Sequence, residues 1–152
     1  MKILSIPFVI ALASGPAIAQ DSPAAIYQQY ERTYLANDAK AMARWLAPDA
    51  DLSQTLHVGD KSDTHHMSSA QLLESMRNVG RPASFPVSSL DKVVVSDTTD
   101  LGFCATTETS SQTVVGGQRY REREVRKACF VRGDKTYLVK SHSTDVFYTP
   151  AP

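Results

Sequence analysis

The sequence predicts an α+β domain, with about three N-terminal helices followed by a long antiparallel sheet. Three observations carry this. Apolar residues recur at three- and four-residue steps in separate segments between residues 23 and 80, which marks helices with one buried stripe. From residue 87 the helical period is gone, and Val-, Thr- and aromatic-rich runs alternate with turn residues. A glycine pair and two cysteines in that second half agree on a single strand register.

The chain opens with MKILSIPFVIALASGPAIAQ, which holds Lys2, an apolar run from Ile3 to Ala13, a Gly15-Pro16 break and small residues at Ala17 and Ala19. That three-part pattern predicts a secretory signal peptide over residues 1–19, cleaved after Ala19. A spanning helix needs about 20 apolar residues. This run is shorter and Pro7 interrupts it, so no membrane anchor is expected. No cysteine follows the small residues, and a lipid anchor is not expected either. The protein is therefore predicted to be periplasmic or secreted. Residues 20–152 suffice for a single domain and fall short of two. With 16 basic and 16 acidic residues the formal net charge is zero, so nothing attracts nucleic acid or an anionic membrane globally.

Ser22-Pro23 predicts the start of a first helix, with the cap followed by proline in the first turn. Ile26, Tyr27, Tyr30 and Tyr34 form its stripe and Asn37 can end it. Asp38 can cap a second helix, with Met42, Trp45 and Leu46 buried, before Ala47-Pro48 stops it. From Asp51 to Val58 the period becomes two. Leu52, Gln54, Leu56 and Val58 share one face of a strand, and Ser53, Thr55 and His57 the other. A turn over 59–63 leads to a brief return strand at Thr64–His66. In the third helix Ser68 and Gln71 form a capping box, with Met67 and Leu72 at staple positions. Leu72, Leu73, Met76 and Val79 supply its buried stripe, and Gly80-Arg81-Pro82 closes it.

The remaining runs, 87–96, 101–114, 119–132 and 135–148, predict a meander. If Gly116-Gly117 is a two-residue loop, Val115 faces Gln118 and the same register brings Cys104 opposite Cys129. An intramolecular disulfide is expected, in keeping with an oxidising compartment. Alternation puts Arg119, Arg121, Arg123 and Lys127 on one face, and Tyr120, Glu122, Glu124, Arg126, Ala128 and Phe130 on the other. Arg126 thus lies on the more apolar face, opposite Thr107. A charge there needs a carboxylate or a bound anion, and Glu124 is the nearest carboxylate on that face. The last hairpin has two readings. A two-residue Gly133-Asp134 loop places Lys127 opposite Lys140, whereas a three-residue loop places Arg126 opposite His142.

The segment YQQYERTYLANDAKAMARWLAPDADLSQT, followed by HHMSSAQLLESMRN, resembles the opening of the nuclear transport factor 2-like superfamily, which includes polyketide-cyclase-like and ketosteroid-isomerase-like proteins. The order of elements is similar too. The resemblance implies a cone-shaped α+β barrel whose helices pack on a curved antiparallel sheet around a pocket, often in a homodimer. In the isomerase branch a catalytic aspartate stands where this chain has Gln54. An amide cannot act as a general base, and Asp49 and Asp51 nearby read as surface or turn residues.

Other constellations are weak. His57, His65, His66 and His142 have no metal-ligand spacing, and adjacent strand histidines point to opposite faces, so no metal is expected. There is no Gly-x-Ser-x-Gly elbow, and Gly116-Gly117 lacks the lysine and helix of a phosphate loop, so no cofactor is expected. The expected activity is binding of a small molecule in the cone rather than catalysis. The expected ligand-binding residues are Tyr30, Tyr34, Trp45, Gln54, Arg126 and His142, with Arg126 holding an anionic or carbonyl group. One alternative is an isomerase or dehydratase using His57 or His142; another is an envelope interaction module, an inhibitor or assembly component, using the charged hairpin tip.

Overall fold

The computed structural model describes residues 21–80 and 92–151. The expected leader, residues 1–19, lies outside them, as do residues 87–91 of the strand expected over 87–96. Helices α1 (Pro23–Leu35), α2 (Ala39–Met42) and α3 (Ser69–Val79) accompany strands β1 (Leu46–Val58), β2 (Lys61–Met67), β3 (Val94–Thr99), β4 (Gly102–Val115), β5 (Gln118–Arg132) and β6 (Tyr137–Pro150). One sheet results, in the order β2-β1-β6-β5-β4-β3. The meander is antiparallel, but β1 runs parallel to β6. The sheet is therefore mixed, and its edges β2 and β3 leave it open rather than closed into a barrel.

The capping signals act as expected. Ser22 Oγ accepts from the Ala25 N–H at 3.3 Å. Ser68 and Gln71 form the reciprocal capping box on α3, at 3.2 and 2.8 Å. Helix α2 departs from expectation: Asp38 caps it, yet it ends at Met42. Trp45 and Leu46 are taken by the sheet instead, because the Val139 N–H donates to the Trp45 carbonyl at 2.6 Å and Leu46 pairs with Val139. Strand β1 consequently starts before Pro48, which sits in a register shift between Leu46 and Asp51, where a missing N–H breaks no ladder bond.

In the β4–β5 hairpin Val115 faces Gln118 and Cys104 faces Cys129, and the cysteines are bonded. Gly116 and Gly117 adopt φ of 58° and 81°, the left-handed conformation that a tight hairpin turn demands. The 25-residue separation corresponds to about 3.5 kcal/mol of loop entropy removed from the unfolded chain.

Neither reading of the last hairpin holds. Its loop runs over residues 133–136, closed by the Gly133 N–H donating to the Thr136 carbonyl at 2.8 Å. A bulge follows at Lys140, whose ammonium pairs with Asp49 across the shift in β1. Loop and bulge together place Ala128 opposite His142 and Arg126 opposite Thr144.

The helices lie on the sheet face that carries Phe103, Thr107, Arg126, Phe130, His142 and Thr144, all buried. Tyr27 and Tyr30 of α1, Met42 and Met76 complete that core. Val79, expected in the buried stripe of α3, is 80% exposed because the end of this helix overhangs a cleft instead of the core. Among the described residues no helix is long and apolar enough to cross a membrane.

Candidate functional site

A cleft of about 480 Å³ lies between the C-terminal ends of α1 and α3 and the face of β1 and β5. Its position follows from one turn. Asn37 takes the left-handed conformation after α1, φ 52°, and its side-chain amide donates to the carbonyls of Met76 at 2.9 Å and of Gly80. This holds the end of α3 beside the end of α1. Met67, Leu72, Met76 and Val79 give the cleft an apolar wall, and Tyr34, Gln54, Glu124 and Arg126 supply polar groups.

Below the cleft is an annex of about 20 Å³ lined by Tyr34, Leu52, His142 and Thr144, room for about one water. Deeper still the cone is filled. The Tyr30 ring lies 5.5 Å from Phe130, 5.8 Å from Trp45 and 5.7 Å from His142, in edge-to-face contacts. Tyr30 and Trp45 are thus core residues beneath the cleft. Tyr34, Gln54 and Arg126 line it, and His142 lines only the annex.

His142 is 5% exposed, and burial pulls its pKa down to about 4, with the Arg126 charge adding to the effect. It is therefore neutral near pH 7. Burial also raises the Tyr30 hydroxyl well above its ordinary value, so this hydroxyl stays protonated, and it is hydrogen-bonded to His142 Nδ1. The opposite nitrogen, Nε2, is hydrogen-bonded to Thr144 Oγ1 at 3.0 Å, so one ring nitrogen donates and the other accepts. The Tyr34 ring, its centroid 4.7 Å from that of the imidazole and tilted 31° to it, covers the pair. Both ring nitrogens are engaged, which leaves no lone pair for a substrate proton.

Arg126 meets protein carboxylates rather than an open anion site. Its Nε lies 2.5 Å from Glu31 Oε1, and its Nη1 lies 3.1 Å from Glu124 Oε1. Glu31 is fully buried; burial raises its pKa while the guanidinium opposes that shift. The Glu31 contact is an ion pair without hydrogen-bond alignment, held by charge. Nearby, the Tyr27 hydroxyl reaches Thr107 Oγ1 at 2.9 Å and donates to the Arg126 carbonyl at 3.2 Å. The expectation that Arg126 holds an anionic or carbonyl group is not supported by this geometry, since two carboxylates already face it.

Glu31 was missed in the sequence. A signal existed: it stands four residues after Tyr27 and three before Tyr34, inside the α1 stripe. Gln54 does face the cleft, so the isomerase-branch position is occupied by an amide, while Asp49 and Asp51 pair elsewhere with Lys140 and His66. His57 is on the opposite sheet face, 3.0 Å from Asp145. Among the described residues no three His, Cys, Asp or Glu converge as a metal site.

No protein-family model matches the sequence, and no curated protein matches it. Solved structures do. A nuclear transport factor 2-like protein of unknown function in nutrient uptake from Rhodospirillum rubrum is 16% identical with a TM-score of 0.55, over 84% of this chain and 99% of its own. LinA is 14% identical with a TM-score of 0.53, over 84% and 88%. The Mtr2–Mex67 M domain complex of C. albicans gives 11%, 0.55, 85% and 94%. At such identities the likeness is one of fold. Together with the helices on one face of an open six-stranded mixed sheet, it shows that this chain has the nuclear transport factor 2-like fold.

Proposed function

We propose that this is an exported domain that binds a small molecule in the cleft between α1, α3 and the sheet, with no catalytic activity of its own. The observation that carries this is a cleft of about 480 Å³ with an apolar wall and a few convergent polar groups, the usual make-up of a ligand site. The Cys104–Cys129 bond supports an oxidising compartment, periplasmic or extracellular. The reading includes removal of residues 1–19, so N-terminal sequencing of the mature protein is expected to begin at Gln20. A thermal-shift screen is expected to find ligands whose stabilisation disappears in Leu72→Trp, which fills the cleft from its wall. Stabilisation that survives the filled cleft would place the ligand elsewhere and refute the assignment.

The enzyme alternative is less well supported. Neither His142, with both nitrogens engaged, nor His57, on the far face, offers a base to the cleft. An interaction module has one observation in its favour: the β4–β5 tip exposes Val114 and Val115 beside Arg119 and Arg121. A homodimer through this or another face predicts twice the chain mass by light scattering; a monomer mass removes it.

A further inference from the structure

The resting charge of the cleft says which molecules it admits, given the binding reading above. On the helix-bearing face of β5 the charged residues that line the cleft are Glu124 and Arg126. The guanidinium of Arg126 pairs with Glu31 through Nε and with Glu124 through Nη1. Two carboxylates thus face one guanidinium, and of the three side chains the cleft is lined by Glu124 and Arg126.

Exposure decides which member a ligand meets. The Arg126 side chain is 6% exposed and that of Glu31 is 0%, whereas that of Glu124 is 24% exposed. Glu124 binds Arg126 through Oε1, and its other oxygen has no partner among the described residues. Among the described residues the other cleft walls provide no cation: α1 contributes Tyr34, the turn after it Asn37, α3 contributes Ser75, Met76 and Val79, and β1 contributes Gln54. His142 beneath them is neutral at pH 7.

We infer that the ligand is an organic cation, a protonated amine on an apolar body, with its ammonium at Glu124 and its body against Met67, Leu72 and Met76. Three features fit that chemistry together. The free Glu124 oxygen accepts a charge-assisted hydrogen bond. Tyr34 presents an aromatic ring, which attracts a nearby cation through its π face. A carboxylate ligand in the same place would meet Glu124 at close range while Arg126 already faces two carboxylates, and like charges at such distances repel.

Calorimetric titration of the full mature protein with three molecules of one shape tests this: 2-phenylethylamine, 2-phenylethanol and 3-phenylpropionate. The amine is expected to bind at least about tenfold more tightly than the alcohol, and the carboxylate not to bind. In Glu124→Gln, which keeps an oxygen for Arg126, the preference for the amine over the alcohol is expected to disappear while the melting temperature is retained. Equal binding of all three, or tighter binding of the carboxylate, overturns the cation inference but leaves the cleft as the site. If none binds to the wild type, both the inference and the binding reading fall.

Discussion

Two arginines three residues apart on β5 have opposite fates. Arg126 is enclosed on the helix-bearing face, its side chain 6% exposed between Glu31 and Glu124. Arg123 stands on the other face with its side chain 44% exposed, 3.4 Å from Glu108 and stacked 4.2 Å over the Phe147 ring. The histidines repeat the contrast. His142 is sealed under Tyr34 and bonded at both nitrogens, while His57 lies against Phe147 with ring centroids 4.2 Å apart and its edge toward Asp145. Strand parity alone separates the members of each pair. The same side-chain chemistry becomes a framework element on one face and a surface decoration on the other, because only one face removes water.

The largest effect is expected of Arg126→Ala. It leaves Glu31 buried without its counter-charge, and losing one partner of a buried pair typically removes about 3–5 kcal/mol. Combining it with Glu31→Gln is expected to restore much of the loss, since the stranded charge goes too. Urea unfolding of the two variants measures both. If Arg126→Ala is as mild as Arg123→Ala, the buried trio has no structural role. A small-molecule site at Arg126 would instead have left the fold intact and weakened only binding.

The disulfide tests the outer face. Cys104→Ser with Cys129→Ser is expected to lower stability by about 3.5 kcal/mol, the loop entropy that the bond removes. Unchanged unfolding on reduction, or two free thiols in the mass of the unreduced protein, would contradict this.

The legibility of the molecule divides along the same line. The β4–β5 register was readable because two independent local signals, a glycine pair and two cysteines, point to one alignment. The capping box of α3 was readable for the same reason. The β5–β6 register was not, because a four-residue loop and the Lys140 bulge shift it, and that bulge is anchored by Asp49, 91 positions away in sequence. Helix α2 was overextended because Val139 claims Trp45, another contact that no local pattern contains. In the site, Tyr34, Gln54 and Arg126 were placed by periodicity on the correct face. The partner of Arg126 was only half seen, since Glu124 shares its strand while Glu31 comes from a helix.

His142 carries the comparison into pH. Its folded pKa of about 4 lies below the ordinary 6.5, so the fold favours neutral imidazole. That contribution is fully present above about pH 6.5 and is lost as pH falls toward about 4, about 3 kcal/mol in all. Glu31 acts in the opposite sense: its raised pKa gives stability at low pH that is lost as pH rises from about 4.5. The His142→Gln variant is therefore expected to show a shallower loss of stability between pH 7 and pH 4.5 than the wild type. Parallel urea midpoints across that range would show that His142 is not the group responsible.

The smallest effect belongs to Arg123→Ala. An exposed ion pair contributes at most about 1 kcal/mol, because water screens both charges and two long side chains lose freedom to meet. The stack on Phe147 adds a cation–π contribution of about 0.5–1 kcal/mol at so exposed a site. Salt separates the two. Raising the ionic strength from low to about 1 M screens the Glu108 pair within a Debye length of about 3 Å, while contact with the ring persists. The gap between wild type and Arg123→Ala is then expected to shrink without closing. If it closes completely, the ring contact contributes nothing; if salt leaves it unchanged, Glu108 does not. A loss above about 2 kcal/mol would show that this face is buried in the functional assembly, by a second copy or another partner, and would erase the contrast with Arg126.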